Sequence, residues 1–390
     1  MYDRSRKLRV FEAFAGIGAQ ATALERIGID FEIVGISDWF IDAILCYELL
    51  HCDKPMELVI PSNEGILQYL ESLNLSKDSV RPTDISKIKH NELARLYIAN
   101  QRCKNLGSIT MIKGSDMPDT DLFIYSFPCQ DLSTGGKGLG MKKGSGTRSG
   151  LLWEVERILS ELKKENRLPE YLLMENVKTI KAKSNVSDLN QWLSFLESLG
   201  YKNDECMILN SLDFGVPQDR ERAFIVSHLG KKLNIDKIID RYKQQKEYRF
   251  DNFFRTDYDN PILKKEADEA QLNKTPSREV MWKINGKQLD KNTIVRTITC
   301  NMDRTNCAAL FPYDGALGES YRRPTIREAF LLMGFTEEEY EKTIQLGFSY
   351  RKMNKLIGNS IVVNVLESIF RAMFIDNKEV SDNGIKNTDK

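Results

Sequence analysis

The chain has 390 residues, 41% of them hydrophobic, enough to bury a sizeable core in one large domain or two smaller ones. Its 56 basic and 56 acidic residues cancel, which excludes a protein that coats nucleic acid through net charge alone and leaves room for a local basic cleft. No apolar run reaches the roughly 18 residues of a membrane span, and the N-terminus MYDRSRKLRVFEAF lacks the apolar stretch of a signal peptide, so the expectation is a cytoplasmic protein with no membrane partner.

Leu8 to Phe14 is a short apolar run with Glu12 inside it and reads as a buried strand. AGIGAQ follows as a glycine turn, ATALERIG as a helix and Phe31–Ile36 as a second strand, which makes one βαβ unit of a parallel sheet. Residues 50 to 105 read as helical and peripheral. Asp121–Ser126 is another buried strand, with Cys129 just past its end. GLLWEVERILSELKKE has the apolar spacing of a helix, EYLLMENV is a strand running into Glu175, and NQWLSFLESLGY is a helix stopped by Gly200. Ala223–Ser227 is again a strand. Beyond about residue 230 the rhythm stops; between Lys231 and Cys300 there are 16 Lys plus Arg against 11 Asp plus Glu. The expected division is a catalytic, ligand-binding domain at 1–230, a smaller domain at 231–320, a return to the first at 321–375 through the helix of GNSIVVNVLESIFRAMF, and a disordered polar tail at 376–390.

The seven cysteines form no CxxC pair and the three histidines do not cluster, so no metal is expected. The polar residues that stand out instead collect at strand ends: the Gly16–Gly18 turn, Asp38, Cys129 and Glu175. In an open parallel sheet that edge binds ligands. Gly16, Gly18 and Ala21 fit a loose GxGxxA pattern, with Asp38 placed to accept hydrogen bonds from ribose hydroxyls. A plain tight turn is the alternative. Trp39 is open to two readings, flat against adenine or part of the core.

In YSFPCQDLSTGGKGLG, Pro128 fixes one backbone angle before the Cys129 thiol. Residues 131 to 150 contain seven glycines, and Lys137, Lys142, Lys143 and Arg148 suit phosphates. The segment reads either as a lid beside a nucleophile or as a linker. Glu175, at the end of an apolar strand, is a partly desolvated acid able to donate a hydrogen bond, or a capping or ion-paired residue. Arg220 and Arg222 alternate before a strand and point to one face, as a carbonyl or phosphate clamp or as a surface salt-bridge ladder.

FAGIG, FPCQDLS, MENV, QDRER and IGNSIVVNVLESIF, in that order, resemble the motifs of the cytosine-5 DNA methyltransferase family, of bacterial and phage type. RRPTIREAFLLMGF is similar to the segment before the last of these. SFPCQDLS, GSGTRSGLLWE and YLLMENV look most like the CpG-modifying subgroup. The resemblance covers 8 to 229 and about 292 to 371.

It implies an α/β fold with a Rossmann-like, mostly parallel sheet and a smaller target-recognition domain, acting as a monomer on double-stranded DNA. It implies that Cys129 attacks carbon 6 of a flipped cytosine, that Glu175 meets ring nitrogen 3, and that Arg222 holds the carbonyl with Arg220 in support. It assigns S-adenosyl-L-methionine to Phe14, Ala15, Gly16, Ile17, Gly18, Asp38, Trp39, Ser108, Pro128, Asn359 and Ser360. It assigns DNA to Ser133, Lys137, Arg148, Gln218, Arg296 and Thr297, with the 231–320 region setting sequence choice. Three departures stand out: Ser108 where the family usually has Asp, Asp219 where a basic residue is common, and a longer segment between Asp38 and Gly107. A nicotinamide-dependent oxidoreductase would explain GxGxxA but has no use for Cys129 followed by a glycine-rich segment. A tRNA cytosine methylase would share the chemistry and differ in substrate.

Overall fold

The computed structural model describes residues 5–132, 140–243, 248–303 and 307–376. They fall into two units: Met1–Leu209 with Arg222–Arg241 and Glu367–Lys390, and Asn210–Glu221 with Tyr242–Leu366.

The first unit is built on a sheet of β1 (Leu8–Ala13), β2 (Phe31–Ser37), β3 (Leu122–Tyr125), β4 (Tyr171–Val177), β5 (Tyr201–Asn203), β6 (Met207–Asn210) and β7 (Glu221–Leu229). The order is β2-β1-β3-β4-β7-β5, with β6 also on β7. β1 to β4 run parallel, while β7 is antiparallel to β4 and β5 to β7. The strands read as near-continuous apolar runs because parallel strands are covered on both faces; Leu122–Tyr125 is buried throughout.

Helix α1 (Ala19–Arg26) joins β1 to β2. α2 (Ile41–His51), α3 (Asn63–Ser72) and α4 (His90–Arg102) fill the long connection to β3, which agrees with the helical reading of residues 50 to 105. Together with β2 they enclose one core cluster, around Ile36, Ile44, Tyr47, Leu70 and Leu96. A second cluster lies under α5 (Leu152–Lys164) and α6 (Val186–Leu199), where Val155, Ile158, Leu159 and Leu162 at helical spacing meet Phe123, Met174 and Trp192. α6 ends at Gly200, whose φ of 104° is a left-handed cap that favours glycine.

The second unit holds helices Pro261–Ala270 and Pro276–Asn285, each with proline in its first turn and a side-chain cap from Asn260 or Thr275. A hairpin, Phe311–Gly315 with Gly318–Arg322, is extended by Gln271–Leu272. Helices Ile326–Leu332, Glu337–Ile344 and Tyr350–Asn359 complete it. This differs from the expected return to the first domain at 321. Arg322 pairs with Glu328, both fully buried, and Arg327 pairs with Glu266, so the chain stays with the second unit until Glu367. Residues 211–220, between β6 and β7, also belong there. The apolar stretch Tyr350–Asp376 is long enough to cross a membrane, but 78% of its window is buried, as in a core helix.

Candidate active site

Strand register gathers the expected residues of the first unit at one sheet edge. Ala13 is level with Ser37 on one side and Tyr125 on the other, and Tyr125 is level with Met174. The glycine turn, Asp38, the FPC segment and Glu175 therefore all begin at the carboxyl ends of adjacent parallel strands.

The turn is held in left-handed backbone at Phe14 (φ 58°), Gly16 (φ 59°) and Gly18 (φ 76°). A non-glycine residue in that region stores strain, as functional turns often do. The Gly16 N–H donates to Asp38 Oδ2 and the Phe40 N–H to Asp38 Oδ1, both at 2.8 Å. The carboxylate expected to meet ribose thus also fixes the turn. Burial pushes Asp38 up to about 6, opposed by the N–H groups of Phe40 and Gly16. A Cβ on Gly16 would meet nothing within 4 Å, so the turn leaves room for a ligand to approach its backbone. A Cβ on Gly18 would stand 2.2 Å from His51 Nε2, which itself lies 2.9 Å from the Ile17 carbonyl. Gly18 is therefore required by α2 as well. Ala15 and Ile17 are buried, Trp39 half-buried.

Ser108 is buried against Thr110, their hydroxyls 2.9 Å apart. Asn105, not singled out in the sequence, ties this region to β2: its Oδ1 accepts from the N–H groups of Asp38 (3.0 Å) and Gly107 (3.1 Å). Glu12, fully buried in β1, is pushed up to about 8 by that burial, which keeps its carboxyl neutral near pH 7.

Cys129 lies partly exposed beyond β3. By contrast, burial pushes the thiols of Cys46 and Cys307 up to about 12 and about 11, which leaves them without a reactive thiolate. The backbone around Cys129 is fastened by side chains. Asn176 Nδ2 donates to Phe127 O at 2.9 Å, Ser149 Oγ to Pro128 O at 2.7 Å, and the Arg148 N–H to Asp131 Oδ2 at 2.8 Å. Asn176, Ser149 and Asp131 were missed as site residues; Asn176 sits inside the MENV motif and Asp131 inside FPCQDLS, where the signal lay. The Arg148 guanidinium bonds Gln130. Ser133 and Lys137 lie outside the described residues.

Glu175 is buried, and Arg222 Nε lies 3.4 Å from its Oε1. The register explains the pair. Glu175 is level with Phe224 and Val177 with Arg222, so Glu175 and Arg222 are diagonal neighbours on one face of an antiparallel pair.

The expectation that Arg220 shares that face is corrected. Arg220 is buried in the second unit, where it donates to the carbonyls of Ile298 (2.8 Å), Gly358 (3.2 Å) and Ser360 (2.6 Å). The two arginines fall in different units because the Gln218–Asp219 segment pairs with Val295–Arg296 while β7 pairs with β4. Gln218, expected at DNA, is fully buried, and both ends of its amide bond backbone, at Ile298 N and Leu332 O. Asp219 accepts from Asn210 at 2.7 Å. Arg296 is exposed and donates to Asn285 at 2.7 Å, and the Thr297 hydroxyl donates to Asp219 O at 2.9 Å. The Asn359 amide accepts from the Cys300 thiol at 2.7 Å.

Polar groups gathered at the carboxyl ends of adjacent parallel strands mark the ligand-binding edge of an α/β enzyme fold. The chain belongs to the C-5 cytosine-specific DNA methylase family, whose model matches residues 79–375. It is 36% identical to the orphan methyltransferase M.SssI of Spiroplasma monobiae over 94% of this chain and 97% of that protein. It is 35% identical to the type II methyltransferase M2.ScrFI of Lactococcus lactis subsp. cremoris, over 94% and 99%. The crystal structure of the Dnmt2 methyltransferase of S. pombe shares the fold, with a TM-score of 0.62 at 19% identity over 94% of this chain and 97% of that one.

Proposed function

We propose that this chain, as a monomer, transfers a methyl group from S-adenosyl-L-methionine to carbon 5 of a cytosine flipped out of a specific duplex DNA sequence, through a covalent adduct on Cys129. The observation that carries this reading is the convergence of the glycine turn, Asp38, Cys129 and the Glu175–Arg222 pair at the carboxyl edge of four adjacent strands.

Phe14 to Gly18, Asp38, Trp39, Ser108, Pro128, Asn359 and Ser360 would hold S-adenosyl-L-methionine. The open space beside Gly16 fits its close approach to the backbone, and the Asp38 carboxylate next to it suits a ribose hydroxyl. When bound it supplies an electrophilic sulfonium methyl group. The Cys129 thiolate adds to carbon 6 of the extruded cytosine, forming a carbon–sulfur bond and pushing the electron pair of the 5,6 double bond into the ring. Glu175 hydrogen-bonds ring nitrogen 3 and Arg222 the carbonyl oxygen, so both stabilise that charge where it develops. Carbon 5 takes the methyl group as the donor's methyl–sulfur bond breaks and its sulfur leaves as a neutral thioether; a base then removes the carbon 5 proton, and the returning electron pair expels Cys129 as thiolate. Flipping costs a few kcal/mol, offset by contacts from Arg148, Ser133 and Lys137. Arg296 and Thr297 face the DNA sequence, Gln218 acts by holding Ile298, and Arg220 acts from a distance.

The test is to incubate the purified chain with radiolabelled S-adenosyl-L-methionine and either plasmid DNA or tRNA, and to read the plasmid by bisulfite sequencing. The expected result is label in DNA and 5-methylcytosine within one recurring sequence. Label confined to tRNA, or none in either, overturns the reading.

A further inference from the structure

Within the second unit, the loop from Arg296 to Asp303 and the turn Gly358–Ser360 are fastened together. Arg220 lies at the joint, 3% exposed, bonding Ile298 O on one side and Gly358 O and Ser360 O on the other. Asn354 Nδ2 donates to Thr299 O at 3.0 Å. Gly358 sits so close to the loop that a Cβ there would stand 2.4 Å from Cys300 N, and the Cys300 thiol donates to Asn359 Oδ1 at 2.7 Å.

The same loop forms part of the wall of a cavity of about 300 Å³, lined among others by Cys300, Asp303, Arg323, Tyr350, Arg351 and Asn354. The Arg323 guanidinium is stacked 3.9 Å over the Tyr350 ring. Asn354 is 2% exposed, and its Oδ1 has no hydrogen-bond partner among the described residues. The cavity wall thus carries the Arg323 and Arg351 guanidiniums as donors and the Asp303 carboxylate as acceptor, a combination that suits a base edge, which mixes acceptors and donors, better than a phosphate, which only accepts.

We infer that Cys300 and Arg220 are positioning residues that couple DNA engagement at this loop to cofactor binding at Asn359 and Ser360. The inference rests on the reading that those two residues contact S-adenosyl-L-methionine. A base that bonds Arg323 and Asp303 pulls on the loop that carries Thr299 and Cys300. Gly358 leaves no slack at that contact, so the turn follows, and the thiol carries the Asn359 amide with it. Coupling of this kind is reciprocal: DNA tightens the cofactor by the factor by which the cofactor tightens DNA.

The experiment is calorimetric titration of the full chain with S-adenosylhomocysteine, with and without a duplex containing its methylation sequence. In the unsubstituted protein the duplex should tighten binding by roughly 5- to 150-fold. Cys300→Ala should bring that ratio close to one while the thermal midpoint holds, and Cys300→Ser, which keeps a hydrogen-bond donor, should restore most of it. Cys300→Val serves as the donor-free variant if Cys300→Ala is unstable. An unchanged ratio in the donor-free variant, or a ratio of one in the unsubstituted protein, overturns the proposal. Asn359→Ala separates the two readings: if it leaves binding without DNA unaltered, the assignment of Asn359 to the cofactor fails; if it weakens that binding and the donor-free ratio is still unchanged, only the coupling fails.

Discussion

The sheet edge of the first unit and the Arg296–Asp303 loop of the second are both predicted functional regions, and they are built by opposite means. At the sheet edge, position comes from register: Ala13, Ser37, Tyr125 and Met174 stand level, and side chains such as Asn176 and Ser149 then trim the loops that follow. In the second unit, position comes from side chains reaching across sequence. Arg220 holds carbonyls 78 and 140 residues away, with only a two-residue ladder to Gln218–Asp219 beneath. A sheet fixes reacting groups rigidly, as bond-making needs. Side-chain struts hold a loop whose sequence can change without disturbing the sheet.

The contrast breaks first at the reacting groups. Cys129→Ser should lower the steady-state rate of methyl transfer by a factor on the order of 10⁴ or more, whereas Arg220→Lys should act chiefly on binding. Arg222→Ala and Glu175→Gln should each cost about 10²- to 10³-fold in kcat. Because the two touch, the double variant should lose less than the product of the single losses; full multiplicativity would show that the pair does not act as one unit.

Smaller effects sharpen the picture of the turn. Gly18→Ala should destabilise by about 2–4 kcal/mol, combining left-handed strain with the collision at His51. Gly16→Ala, strained but unobstructed, should cost about 1–2 kcal/mol. Denaturant unfolding of both variants checks the order.

Two pH effects follow, with opposite signs. Cofactor affinity should fall as pH drops through about 6, where Asp38 takes up a proton and gives up an acceptor site. Glu12 works the other way. Its folded-state value, about 8, lies above the ordinary 4.5, so the native state binds more protons in that window and stability falls as pH rises through it. Glu12→Gln should flatten that slope in thermal melts, and an unchanged slope would mean another group is responsible.

Much of the first unit was legible in the sequence. Continuous apolar runs marked β1 to β4, the glycines marked the turn, and the order of motifs pointed to Cys129 and Glu175. Register was not legible, so the Glu175–Arg222 diagonal had to be observed. The second unit was legible mainly as a loss of rhythm. Nothing local in QDRER says that Arg220 turns inward, because its partners are backbone carbonyls, which any residue supplies. The stretch after 321 was hard to place for a related reason: Arg322 and Arg327, whose partners Tyr258 and Glu266 lie earlier in the second unit, resemble surface charge when read in sequence.

The central claim is that the Cys129 sulfur bonds cytosine carbon 6. Duplex DNA carrying 5-fluorocytosine at the methylated position tests it most directly, because fluorine blocks the final loss of the carbon 5 proton and arrests the adduct. Incubation with S-adenosyl-L-methionine, followed by proteolysis and mass spectrometry, should yield a DNA-linked peptide containing Cys129. A linkage at Cys300 or any other residue, or no denaturation-stable complex at all, would contradict the account.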